Sequence, residues 1–205
     1  MAIGQLRLLG PSSPHQRVST AVLRALAAIC LLAGACIGTA QDEPLWPEEE
    51  QRLRVGLKLF SAVLGAVEGI EARRSPDGDL KVVVVCDGSE EVGREAAMAR
   101  QRVDTIRNLP LTVRHLSVTA LDAYQGPPLG GIFVACVDVG GERLRAGSQR
   151  HHTLVFSPFA GDVEAGAVAG IYVSDQILPY INTAQAKRAE VSFKPFFLQV
   201  ARQYE

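Results

Sequence analysis

Two runs of the chain have no polar face. Lys81 to Cys86 reads KVVVVC and Gly131 to Val137 reads GIFVACV. Consecutive β-branched and apolar residues of this kind are buried on both sides only in the middle of a sheet that carries helices on both faces. Elsewhere the apolar positions keep helical spacing. Leu53, Leu57, Phe60, Leu64 and Val67 recur at steps of four and three and predict a first helix, with Pro47 and Glu48 to Glu50 marking its start. Val92, Ala96, Ala99, Val103 and Ile106 predict a second, ending around Asn108, with Asp87 and Glu90 spaced as a capping box. Leu111 to Val118 carries Arg114 and His115 among its apolar residues and reads as an edge strand. A short helix around Leu144 and a strand from Thr153 to Phe156 follow, with His151 and His152 at the strand entrance.

After Gly161 the rhythm changes. Ala167 to Val173 and Ile177 to Ile181, split by Ser174, Asp175 and Gln176, predict a hairpin; Thr183 to Glu190 and the stretch after Pro195 predict closing helices. Together these elements predict a single-domain α/β fold: a mostly parallel central sheet with helices on both faces, then a C-terminal β-hairpin and helices.

The first forty residues differ in kind. Arg7, Arg17 and Arg24 precede an apolar run from Ala25 to Ile37 and the small residues Gly38, Thr39 and Ala40. That order predicts a secretory signal over residues 1 to 40, a short leader over 41 to 50 and the α/β domain over 51 to 205. A lipid-anchored Cys36 and an uncleaved anchor are the alternatives. Removing residues 1 to 40 takes three arginines and no acid from a chain of 21 basic and 22 acidic residues, leaving 18 against 22, a formal charge of −4. Such a balance gives no reason to expect nucleic acid as a partner, and after cleavage no membrane span. Cys86 and Cys136 then remain in an oxidising compartment, the arithmetic of one disulfide, the alternative being two inert buried thiols.

Candidate chemistry is sparse. Ligands of open α/β sheets sit beyond the carboxyl ends of the strands, here at Asp87, Gly88 and Ser89, at Asp138 and at Ser157. The Asp87 loop has no phosphate-binding glycine pattern and two glutamates in its first turn, so it reads as a helix cap. His151 and His152 lack the further ligands of a metal site, and no cofactor is expected. An enzyme would need Ser89, Asp138 or His115 to converge.

The most specific stretch is Ile181 to Ala189, INTAQAKRA, followed by Val191 and an apolar segment. Asn182 with the basic pair Lys187 and Arg188 resembles the closing signature of the YfiR family of exported proteins, with Glu190 standing where that family turns through glycine. Val67-Glu68, Val82 to Gly93 and Gly170 to Asp175 agree with the resemblance, which covers about residues 50 to 203. It implies a non-catalytic periplasmic regulator that forms a homodimer and binds the periplasmic domain of a membrane-embedded signalling protein such as a diguanylate cyclase, the cyclic di-GMP synthase. Leu57, Phe60 and Leu64 on the first helix and Phe193, Phe196 and Phe197 near the C-terminus are the candidate partner or dimer surfaces. A small-ligand-binding domain using the strand-end crevice is the alternative reading.

Overall fold

The computed structural model describes residues 47–87, 90–101 and 105–205, without the side chains of 90, 100 and 101. All of these belong to one compact unit, Gln41–Glu205. The expected signal segment and most of the leader lie outside the described residues. No described helix is long and apolar enough to cross a membrane.

Helix α1 (Pro47–Gly65) leads through a 3-10 turn (Ile70–Arg73) to β1 (Leu80–Val85). Helix α2 (Glu90–Gln101) is followed by β2 (Thr105–Ile106), β3 (Leu109–Leu116), α3 (Val118–Asp122) and β4 (Leu129–Val134). Then come α4 (Gly141–His151), β5 (Leu154–Ser157), α5 (Asp162–Ala165), β6 (Ala169–Val173) and β7 (Ile177–Asn182). The chain closes with α6 (Thr183–Arg188), α7 (Pro195–Val200) and β8 (Arg202–Tyr204). The eight strands form one sheet in the order β2-β3-β1-β4-β5-β6-β7-β8. Strands β3, β1, β4, β5 and β6 run parallel; β2 and β7 are antiparallel to β3 and β6. The fold is thus α/β and mostly parallel, as the two doubly apolar runs predict.

Those runs hold the centre. Strand β1 lies between β3 and β4, and every residue of β4 is buried. Pairing of Val82 with Gly131 and of Val84 with Phe133 puts these side chains on one face, where α1 and α2 pack. Gly131 is what lets α1 come close, because a Cβ there would stand 3.0 Å from Leu64 and 3.1 Å from Phe60. The Phe60 ring drops into that space against Phe133 and Phe156, with ring centroids 5.4 and 5.5 Å away. Ile132 and Val155 occupy the opposite face, under α4.

Several expectations need correction. Strand β3 is second from the rim, shielded by the two-residue β2, and the residues expected to finish α2 instead make the β2–β3 turn, with Arg107 and Asn108 at φ of 50° and 66°. His151 is the last residue of α4 and His152 its left-handed cap, so the pair closes a helix and does not open a strand. The Asp87 carboxylate accepts the Val118 N–H at the start of α3, 2.7 Å away, so its described cap is on a helix other than the one expected. The α/β unit begins before residue 51, since α1 starts at Pro47. The hairpin stands where predicted, and Glu190 takes the left-handed conformation, φ 56°, that glycine adopts most readily.

Candidate functional site

Strand β1 sends the chain towards β3, and β4 sends it the other way towards β5, so their carboxyl ends flank a switch-point crevice. Asp87 leaves β1 there, and its carboxylate also pairs with Arg143 of α4 at 3.5 Å. Asp138, at φ 63°, leaves β4 and turns towards the ends of β5 and α1. The crevice widens on that side into a groove of about 420 Å³, lined by Glu48, Glu49 and Arg52 of α1 together with Val137, Asp138, Phe159, Ala160 and Asp162.

Arg52 anchors this groove. Its Nη1 reaches the Pro158 carbonyl at 3.4 Å and its Nε lies 3.6 Å from Glu48, which holds the side chain 81% covered between α1 and the loop after β5. Two smaller hollows of about 140 and 130 Å³ share Arg52 and carry the groove along the hairpin, one past Tyr172 and Tyr180, the other between Val55 and the pair Val173 and Ile177. Four carboxylates face one guanidinium in the main groove. A polyanion is therefore disfavoured, whereas a neutral or cationic small molecule is not.

Ser157 is wholly buried; its hydroxyl donates to Asp162 Oδ2 at 2.5 Å and accepts the Phe159 N–H. Burial lifts the Asp162 carboxyl above the usual carboxylate range, the Ser157 bond opposes that, and Asp138 and Glu164 add to the rise. A carboxyl raised on folding holds its proton more tightly in the folded chain, so its contribution is full below the unfolded pKa and is lost as pH rises through the folded one. Asp162→Asn keeps an acceptor for Ser157 and removes the charge. The melting temperature of this variant is expected to gain on wild type as pH rises from about 4 to about 7. A difference between the two that does not change with pH contradicts the assignment.

Of the expected crevice residues, Asp138 lines the groove and Asp87 flanks the switch point, Ser157 is an interior support, and Gly88 and Ser89 lie outside the described residues. Cys86 and Cys136 are both buried, just beyond the ends of β1 and β4. Val85 opposes Val134, which puts Asp87 level with Cys136 as the two strands end. The Asp87 N–H donates to Cys136 Sγ at 3.1 Å, and Cys136 Sγ donates to the Asp87 carbonyl at 3.3 Å. The hydrogen bond to Cys86, and then burial, push the Cys136 thiol far above its ordinary range.

The expected partner surface is largely interior. Phe60 and Leu64 are completely buried beneath α1, Phe193 and Phe197 are buried at the C-terminal end, and Leu57 is half-buried in a hollow between α1 and α2. These five pack against their own chain, Phe193 through a bridge to Val67 just beyond α1. Phe196 alone of the six is open, at 63% exposure. Asn182 is the N-cap of α6, accepting the Gln185 N–H at 2.8 Å and donating to the Val163 carbonyl at 2.7 Å; Lys187 and Arg188 end that helix. Both are exposed there, at the macrodipole's negative end.

The Nε2 of His115, the expected histidine, is buried without a hydrogen-bond partner among the described residues. Among the described residues no three His, Cys, Asp or Glu side chains converge to hold a metal ion. Arg52 and Asp162, which define the groove, escape sequence reasoning. Arg52 reads as an exposed polar position of an amphipathic helix, and only the approach of Pro158 turns it inward.

No protein-family model matches the chain, and no curated protein matches it. Solved structures similar to it include the ABC domain in complex with L-Trp from Streptococcus pneumonia, 12% identical with a TM-score of 0.48, the likeness covering 74% of this chain and 60% of that one. Another is a conserved domain protein from Vibrio cholerae O1 biovar El Tor, 13% identical with a TM-score of 0.45, covering 78% and 61%. The chain therefore spans about three fifths of the length of each.

Proposed function

We propose that the protein is a non-catalytic regulatory binding protein of the cell envelope, acting on the periplasmic domain of a membrane-embedded signalling protein such as a diguanylate cyclase, and working as a homodimer. The observation that supports this reading is the tip of the β6–β7 hairpin. Val173 and Ile177 are cross-strand partners and are 48% and 47% exposed. They continue into the hollow formed with Val55 and Ile171. Single exposed aliphatic residues are ordinary, but a paired patch that runs into a hollow is the mark of a contact surface. Phe196 and Val200, one turn apart on α7 and 63% and 59% exposed, make a second apolar patch. The YfiR-like closing signature supplies the class of partner.

Loss of such a regulator releases its target. Deleting the gene in the native host is expected to raise cyclic di-GMP and biofilm formation, and restoring it in trans to reverse both. Unchanged cyclic di-GMP in the deletion strain contradicts the proposal.

One observation favours a second reading, the small-ligand domain. The groove on Arg52, at about 420 Å³, falls within the range of roughly 300 to 1,000 Å³ usual for small-molecule sites. It stands at the strand-end position where open α/β sheets bind ligands.

A further inference from the structure

We propose that two copies of this chain pair through β8, edge to edge and antiparallel, so that two eight-stranded sheets become one. This gives the homodimer of the preceding reading its surface, and it rests on that reading. The backbone carries it first. Strand β8 ends the sheet, with β7 on one side and no further strand beyond it among the described residues. The Asn182 N–H donates to the Val168 carbonyl on the β6 side, so the peptide groups of its neighbour Ile181 turn towards β8. In a parallel ladder such groups bond the residues on either side of the one opposite. Opposite Ile181 is Gln203, so Arg202 and Tyr204 take these bonds. The Thr183 hydroxyl, which donates to the Tyr204 carbonyl at 3.1 Å, marks the same inward side. The N–H and C=O of Gln203 therefore point out from the rim, the template that an added strand needs.

The edge is self-complementary about a two-fold axis at Gln203. There the two Gln203 residues exchange both N–H···O=C bonds. Ala201, extended at φ −86° and ψ 145°, continues the edge, and its carbonyl comes level with the N–H of Glu205 of the partner subunit. Arg202 and Tyr204 share a face with the hairpin tyrosines. The Arg202 guanidinium carbon lies 5.6 Å from the Tyr172 ring centre, and the Tyr204 ring stands edge-on to Tyr180 at 6.3 Å. Pairing about the axis sets each Arg202 against Tyr204 of the partner subunit, a cation–π contact made twice. The charges choose the direction. Arg202 opens the strand and Glu205 follows its end, so antiparallel pairing brings unlike charges together and parallel pairing would bring like ones.

The opposite face supplies apolar cover. Gln203 Nε2 donates to the Leu198 carbonyl of α7 at 3.2 Å, and only Ala201 separates that helix from the strand, so α7 lies beside the rim. Phe196 and Val200 are open on it. The axis brings the second α7 to the same face, and the contact is isologous: main-chain bonds flanked by the same apolar residues from both copies. Strand β8 starts opposite Tyr180, so the hairpin tip at Val173 and Ile177 stays uncovered. The two tips of the dimer point opposite ways.

Sedimentation equilibrium of the purified protein is the test. Wild type is expected to be a dimer, and Gln203→Pro to weaken it at least about tenfold, because proline removes the outward N–H and none that bonds β7. In case that variant fails to fold, Gln203→Cys decides. The α-carbons of an antiparallel hydrogen-bonded pair stand about 5.5 Å apart, inside the disulfide range of roughly 4.4 to 6.8 Å. Mild oxidation is therefore expected to give a covalent dimer on a non-reducing gel, and Lys58→Cys, exposed on α1, is expected not to give one. Wild type that dimerises no more tightly than a folded Gln203→Pro, or a dimer in which Gln203→Cys forms no crosslink, overturns the β8 edge and leaves the homodimer standing. A monomeric wild type overturns both.

Discussion

Replacing both Val173 and Ile177 with aspartate is expected to reduce capture of the envelope partner at least thirtyfold, the loss of about 2 kcal/mol or more that marks a binding hot spot. The stability of the chain is expected to change little. Both residues lie at the open end of the β6–β7 ladder, beyond the last turn of core packing, and Ile177 is the first residue of β7. Aspartate there removes apolar contact area and places two carboxylates where a partner surface would have to desolvate them. Glu48, at the rim of the same hollow, would add repulsion. Affinity capture from solubilised host membranes, with thermal unfolding of the same preparations, separates the two effects. Undiminished capture by a folded double variant removes the hairpin tip from the interface.

The second large effect has the opposite signature. Phe60→Ala is expected to cost about 3 to 5 kcal/mol of stability, a large part of the roughly 5 to 15 kcal/mol that holds a domain of this size together. The sequence pattern places Phe60 on a candidate partner surface, and there the same change would weaken binding with the fold intact. In the structure the ring is fully buried, set edge-on to Phe133 and tilted on Phe156, while Phe133 and Phe156 stack on each other at 14°. Truncation leaves a void under α1, and Gly131 directly beneath it has no side chain to fill that void. Urea unfolding is the measurement; a variant with wild-type stability and lost capture would return Phe60 to the surface.

The difference between these two predictions shows what the chain discloses about itself. The central strands are legible because no other position in a soluble fold tolerates Val82 to Val85 without a polar face. The hairpin and the Asn182 cap are legible because both depend on residues a few positions apart. A helix stripe, however, looks the same whether it meets its own sheet or another subunit, so Phe60 and Leu64 carry no mark of which they face. Strand β8 is hidden for a related reason. Arg202, Gln203 and Tyr204 are all exposed and owe their extended state to pairing with β7, not to any pattern of their own. The β2–β3 turn runs through Arg107 and Asn108 in place of the glycine that usually signals one.

The groove was the least legible feature. Its position follows from the strand order, which places the switch point between β1 and β4. Its chemistry does not. Arg52, Asp138 and Asp162 come from three separated segments, and the rise in the Asp162 carboxyl pKa comes from burial that exists only once α1 and the loop after β5 have met. Lys81 shows the same dependence on the fold: a lone cation in an apolar run becomes the partner of Asp79 at 3.2 Å at the amino end of the sheet. Asp79 is held down to about 2, first by its hydrogen bond from Ser75, so its contribution to stability persists well into acid.

The regulatory reading is tested most directly by placing a photo-crosslinking amino acid at position 177 in the living host and identifying what it captures on illumination. The account predicts one membrane protein with an extracytoplasmic sensor segment and a cytoplasmic signalling domain, captured at this position and not from Lys58 on the exposed side of α1. Illumination that captures no such protein from position 177, while the groove around Arg52 is found to hold a small metabolite, contradicts it.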